Sequence, residues 1–101
     1  HKLNLLVNSF RKELGDLEVP FIVGGLGNYL GKSGFGRSCV ESALINQDLL
    51  KYVENNRNCY FVTGEKLYPN PDGIHINAES QRRFGIRYFQ AYQTKSSIVE
   101  P

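Results

Sequence analysis

The chain has 101 residues, 41% hydrophobic and 22% charged, which fits one globular domain with a modest core. A net charge of +2 and a pI of 8.6 are too mild for a nucleic-acid footprint, and the basic residues are dispersed; Arg82, Arg83 and Arg87 read as the solvated face of a helix. No apolar run approaches the ~18 residues of a membrane span. The two cysteines, Cys39 and Cys59, lack metal-binding spacing and read as reduced, partly buried thiols.

In chain order, Leu3, Leu6, Val7, Phe10 and Leu14 recur at helical spacing and predict an amphipathic helix over 3–14, with Arg11, Lys12 and Glu13 mostly opposite. Pro20 introduces Phe21-Ile22-Val23, a continuously apolar run that predicts a strand buried on both faces. Residues 24–37 form a glycine-rich loop. A second helix is predicted over 38–55, with Val40, Ala43, Leu44, Gln47, Leu50 and Val53 as its stripe, and Asn55-Asn56 as its end. Tyr60-Phe61-Val62 is the second strand, opened by Cys59. Leu67–Asp72, with two prolines, predicts an extended loop. Asn77 is a suitable N-cap for a last helix over about 78–93, in which Phe84, Tyr88, Phe89 and Tyr92 are the predicted buried stripe. Gly85 inside that helix predicts close packing against the sheet, since glycine there costs about 1 kcal/mol.

This alternation predicts an α/β fold with a parallel sheet. Two parallel strands alone would each keep an unpaired edge, and parallel sheets occur almost only as covered, multi-stranded sheets. Further strands are therefore expected from outside these residues.

The glycine loop invites a nucleotide reading and does not sustain it. A phosphate-binding loop ending at Gly31-Lys32-Ser33 needs glycine where Leu26 stands, and a dinucleotide fingerprint starting at Gly25 needs glycine where Leu30 stands. A loop at the mouth of an α/β sheet does sit where ligands bind, so Gly27 and Asn28 are candidate substrate-contacting residues.

Asp72-Gly73-Ile74-His75 reads either as a plain turn leading to a surface or capping histidine or as a candidate acid–base pair. A general base needs an imidazole held in one tautomer and aimed at its target, and a carboxylate on the far ring nitrogen does both. Asn70-Pro71-Asp72-Gly73 has the turn chemistry to bring the two side chains together.

The stretch Pro71-Asp72-Gly73-Ile74-His75-Ile76-Asn77-Ala78-Glu79-Ser80-Gln81, then Phe84-Gly85-Ile86-Arg87-Tyr88, resembles the last conserved block of the SGNH/GDSL hydrolase superfamily. More narrowly, it is similar to the sialate O-acetylesterase and acetylxylan esterase branch, carbohydrate esterase family six. Phe10-Arg11-Lys12-Glu13-Leu14-Gly15, Val19-Pro20-Phe21-Ile22-Val23-Gly24 and Leu26-Gly27 extend the resemblance upstream. The family's Gly-Glu-Leu-Gly pattern reads Gly24-Gly25-Leu26-Gly27 here, without the acidic residue.

The resemblance implies a flavodoxin-like three-layer α/β/α sandwich, of which residues 1–101 form a single C-terminal portion. It implies serine hydrolysis of O-acetyl esters on carbohydrate, with His75 as general base and Asp72 as its orienting carboxylate. No metal or cofactor is implied. No serine here lies in the family's glycine-serine block, so the nucleophile is expected outside the chain, which alone should be inactive. The competing expectation is a non-catalytic, esterase-derived module that binds carbohydrate or protein. Exposed strand edges would also allow homo-oligomers. No signal-peptide pattern opens the chain, which favours a cytoplasmic location, although a segment upstream of His1 would carry any targeting signal.

Overall fold

The computed structural model describes residues 2–27 and 42–100. Five elements alternate: α1 (Lys2–Glu13), β1 (Phe21–Gly24), α2 (Ser42–Glu54), β2 (Cys59–Val62) and α3 (Ala78–Thr94). Each predicted element is present within a residue or two of its predicted bounds; the predicted start of α2, Cys39 and most of the glycine loop lie outside the described residues.

β1 and β2 pair in parallel, Phe21 opposite Cys59 through Gly24 opposite Val62. Side chains alternate between the faces of a strand. Phe21 and Val23 with Cys59 and Phe61 therefore share one face, where they pack against Leu49, Leu50, Tyr52 and Val53 of α2. α1 joins this layer: the Tyr52 hydroxyl donates to Asn4 Oδ1 at 3.4 Å. α3 covers the other face, with the Tyr88 hydroxyl and the Phe84 ring over Gly24, where a Cβ would lie 2.1 Å and 2.6 Å from them. The result is an α/β fold with helices on both faces of a parallel pair, compatible with part of a flavodoxin-like sandwich.

The two strand edges differ. The outer edge of β2 is covered by the C-terminal segment: Ile98 N–H donates to Phe61 O at 2.8 Å, Thr63 N–H donates to Ile98 O at 2.8 Å, and Phe61 N–H donates to Ser97 Oγ at 2.9 Å. This corrects the expectation of an open edge on both strands. Lys95, in the left-handed region at φ 55°, ends α3 and turns the chain back toward the sheet. β1 bonds β2 through Phe21 N–H to Asn58 O and Gly25 N–H to Val62 O. Strand alternation directs the backbone groups of Ile22 to the other side, where no described strand pairs with them.

Apolar side chains lie uncovered on that same side. On α3, Tyr88 reaches β1 while Arg87 donates to Thr63 O beyond β2 at 2.8 Å. The Tyr88 flank thus faces the open edge, and Tyr92, one turn on, and Phe89 beside it are each 60% exposed. On α1, Asn4 and Arg11 point toward α2 and β2, while Leu6 and Phe10 on the other flank are 49% and 55% exposed. The predicted burial of Phe89, Tyr92, Leu6 and Phe10 is therefore not met within these residues. Gly85 is likewise exposed, and a Cβ added to it would meet nothing within 4 Å, so close packing does not explain it.

Two predicted surface arginines are buried. Arg11 donates to Val19 O (3.1 Å), Arg57 O (3.1 Å) and Asn58 O (3.0 Å), tying the turn before β1 to the turn before β2. Arg87 holds the carbonyl of Thr63. Long stems let guanidinium groups reach carbonyls from within a packed layer.

Candidate active site

The loop after β2 is a narrow two-armed excursion, not the extended segment its prolines predict. Asn77 N–H donates to Tyr68 O at 2.9 Å, and Asn70 N–H donates to His75 O at 2.6 Å. Ser80 anchors its base: Ser80 Oγ accepts from Tyr68 N–H at 2.8 Å, and Ser80 N–H donates to the N-cap Asn77 Oδ1 at 2.8 Å. At the tip, Gly73 N–H donates to Asn70 O at 2.9 Å, and Gly73 adopts φ 75°, a conformation open to glycine.

Asp72 sits inside this turn with both carboxylate oxygens engaged. Oδ1 accepts the N–H of Ile74 at 2.9 Å and of His75 at 3.0 Å. Oδ2 lies 2.6 Å from His75 Nδ1. The His75 hydrogen bond, then the two backbone N–H groups, hold the Asp72 carboxyl down to about 2, so it is ionised at neutral pH. An ionised carboxylate only accepts, so the short contact requires the proton on Nδ1. The neutral imidazole then presents Nε2 as its basic nitrogen. His75 and Asp72 side chains are 78% and 46% exposed, so solvent screens the pair and its contribution to folding is small.

His75 borders a cavity of about 250 Å³ with Leu26, Gly27, Leu67, Ile74 and Phe84. Gly27 lines the same cavity as His75; Asn28 lies outside the described residues. A larger cavity of about 380 Å³ lies on the other side of Leu26, against α2. Among its described lining residues Glu65 is the one acidic or basic group, and neither Asp72 nor His75 lines it.

Gly25 has no room for a side chain: a Cβ there would meet Phe61 Cζ at 2.6 Å. This fits the absence of an acidic residue at that point. Asn46 of α2 was not singled out by sequence. Its side chain clamps Leu26, with Oδ1 accepting from Leu26 N–H at 2.7 Å and Nδ2 donating to Leu26 O at 2.9 Å. The signal was a polar amide three residues after Ala43 and four before Leu50, beside a stripe in which Gln47 was already polar. Among the described residues, no group of three or more His, Cys, Asp or Glu is gathered, and no helix is long and apolar enough to cross a membrane.

A family model for carbohydrate esterases described as sialic acid-specific acetylesterase matches residues 1–94. No curated protein matches the chain.

Proposed function

The chain belongs to the sialic acid-specific acetylesterase family of carbohydrate esterases, and from that premise we propose that it supplies the base and the orienting carboxylate of a serine esterase acting on O-acetylated carbohydrate, of sialate or acetylxylan type. The observation that carries this reading is the 2.6 Å contact between Asp72 Oδ2 and His75 Nδ1, which selects the tautomer a general base needs.

The nucleophile is a serine from outside these 101 residues, brought in by strands that continue the sheet beyond β1. The open edge of β1 and the uncovered apolar flanks of α1 and α3 beside it support that placement. The serine Oγ attacks the acetyl carbonyl as His75 Nε2 takes its proton, and the negative charge of Asp72 stabilises the imidazolium. The imidazolium returns the proton to the sugar oxygen as the ester C–O bond breaks, leaving an acetyl-serine. Water then attacks the acetyl group, with His75 again as base, releasing acetate and regenerating the serine.

Hydrolysis of an acetylated sugar by the chain joined to its serine-bearing portion tests the proposal, with the chain alone as control. Enzyme-like turnover is expected only for the joined protein. Turnover of an acetyl ester by the 101 residues alone would overturn the placement of the nucleophile.

A further inference from the structure

The arm that carries the chain out from β2 toward His75 is poor in backbone donors. Pro69 and Pro71 have no N–H, so between Leu67 and Asp72 only Tyr68 and Asn70 can donate. Asn70 N–H goes to His75 O at 2.6 Å, which joins the two arms near the tip. Tyr68 N–H leaves the excursion and goes to Ser80 Oγ of α3 at 2.8 Å. Ser80 is 1% exposed, and its own N–H is held by Asn77 Oδ1. A serine side chain turns about one bond, so it passes the position of the helix to the arm with little play.

Ser80 opens a stripe of α3 that faces this excursion. Phe84, one turn on, lines the cavity beside His75. Arg87, a turn further, donates to Thr63 O at 2.8 Å where the chain leaves β2. The outgoing chain is thus pinned to α3 at Thr63 and again at Tyr68, with Leu67 buried between them. The tip, by contrast, keeps its own shape. Asp72 Oδ1 accepts from the N–H groups of Ile74 and His75, and Oδ2 meets His75 Nδ1, all within the turn. These bonds fix the imidazole against the carboxylate but fix neither against the sheet.

We infer that Ser80 is the positioning residue for the base: by holding the Tyr68 N–H it sets where the Asp72–His75 unit stands over the mouth of the sheet. This rests on the esterase reading above. A serine brought in by another part of the protein must meet His75 Nε2 at hydrogen-bonding distance. The tip travels as one piece, so a small movement of the arm carries Nε2 with it, and a misplacement of about 1 Å can cost on the order of 100-fold in rate. Without the Ser80 hydroxyl the Tyr68 N–H loses its acceptor, and the arm moves to recover one. Ser80 touches no substrate; it acts only through the place it gives His75.

The test is steady-state kinetics on an acetyl ester with the active esterase, the chain together with its serine-bearing portion. Ser80→Ala should lower kcat about 10-fold to 100-fold with KM little changed. Val53→Ala, in the core cluster with Cys59 and Phe61 and away from the excursion, is the control for stability alone. It should lower Tm and leave kcat unchanged. If Ser80→Ala does not fold, Ser80→Cys decides by the same split, since it nearly keeps the volume and offers sulfur, a weak acceptor. A folded Ser80 variant with the parent kcat, or with only a raised KM, overturns the inference. So does a loss of kcat that Val53→Ala reproduces at an equal loss of Tm. His75→Ala separates the two levels: an inactive His75→Ala enzyme beside a fully active Ser80→Ala enzyme sinks only this inference, whereas an active His75→Ala enzyme sinks the esterase reading itself.

Discussion

At the residue scale, Asp72 shapes the turn with one oxygen and orients the imidazole with the other. Asp72→Asn keeps a similar shape but can donate to Nδ1, which favours the wrong tautomer. By comparison with serine proteases, its kcat should fall roughly 10⁴-fold with the fold retained. The pH behaviour follows from the carboxyl held down to about 2, below its ordinary 3.8. A depressed carboxyl contributes stability above its unfolded value and loses that contribution as pH falls through its folded value. Asp72 should therefore stay ionised down to about pH 3, and any acid limb on activity above about pH 4 belongs to a group other than Asp72. A carboxyl carbon resonance of Asp72 that titrates near 4 in NMR would contradict this. The contact was legible in sequence because its partners are three positions apart and turn formers surround them. Asn46 was not, because a helix stripe reveals which residues face inward but not which backbone they meet. Arg11 and Arg87 were misplaced for a related reason: periodicity treats charge as a surface signal, while both guanidinium groups end on carbonyls.

At the element scale, α3 starts where its capping residue predicts. Asn77 Oδ1 accepts from Ser80 N–H, and Ser80 Oγ in turn holds the arm that carries the site. Asn77→Ala should cost about 1 kcal/mol and lower Tm by roughly 4–8 °C in thermal unfolding followed by circular dichroism. Because the cap and the loop share Ser80, it should also speed amide exchange at Tyr68. The segment Ser97–Ile98 was not legible, since two residues pairing with a strand edge leave no periodic pattern. Ile98→Pro deletes the N–H given to Phe61 O and should increase amide exchange at Thr63, whose N–H is held by Ile98 O, while leaving α2 protected. Unchanged protection at Thr63 would show that the segment does not close this edge.

At the scale of the whole molecule, the order of strands and helices was legible, because short apolar runs bounded by glycine and proline alternate with helical stripes. The same patterns overstated burial: Phe10 and Phe89 carry core spacing yet stand exposed on the side where β1 has no described partner. Periodicity marks what a helix can bury, and the neighbour may come from elsewhere. The chain alone should therefore self-associate or bind a hydrophobic dye, and the added serine-bearing portion should abolish both. A monodisperse, dye-silent chain in light scattering would count against the open edge as the docking side. The central claim is that His75, held by Asp72, is the base of an acetylesterase. It is tested most directly by the rate of acetate release from an O-acetylated sugar by the active esterase and by its His75→Ala variant. A loss of roughly 10³-fold or more in kcat, with the fold intact, is the predicted result. A His75→Ala enzyme that releases acetate at the parent rate would contradict it.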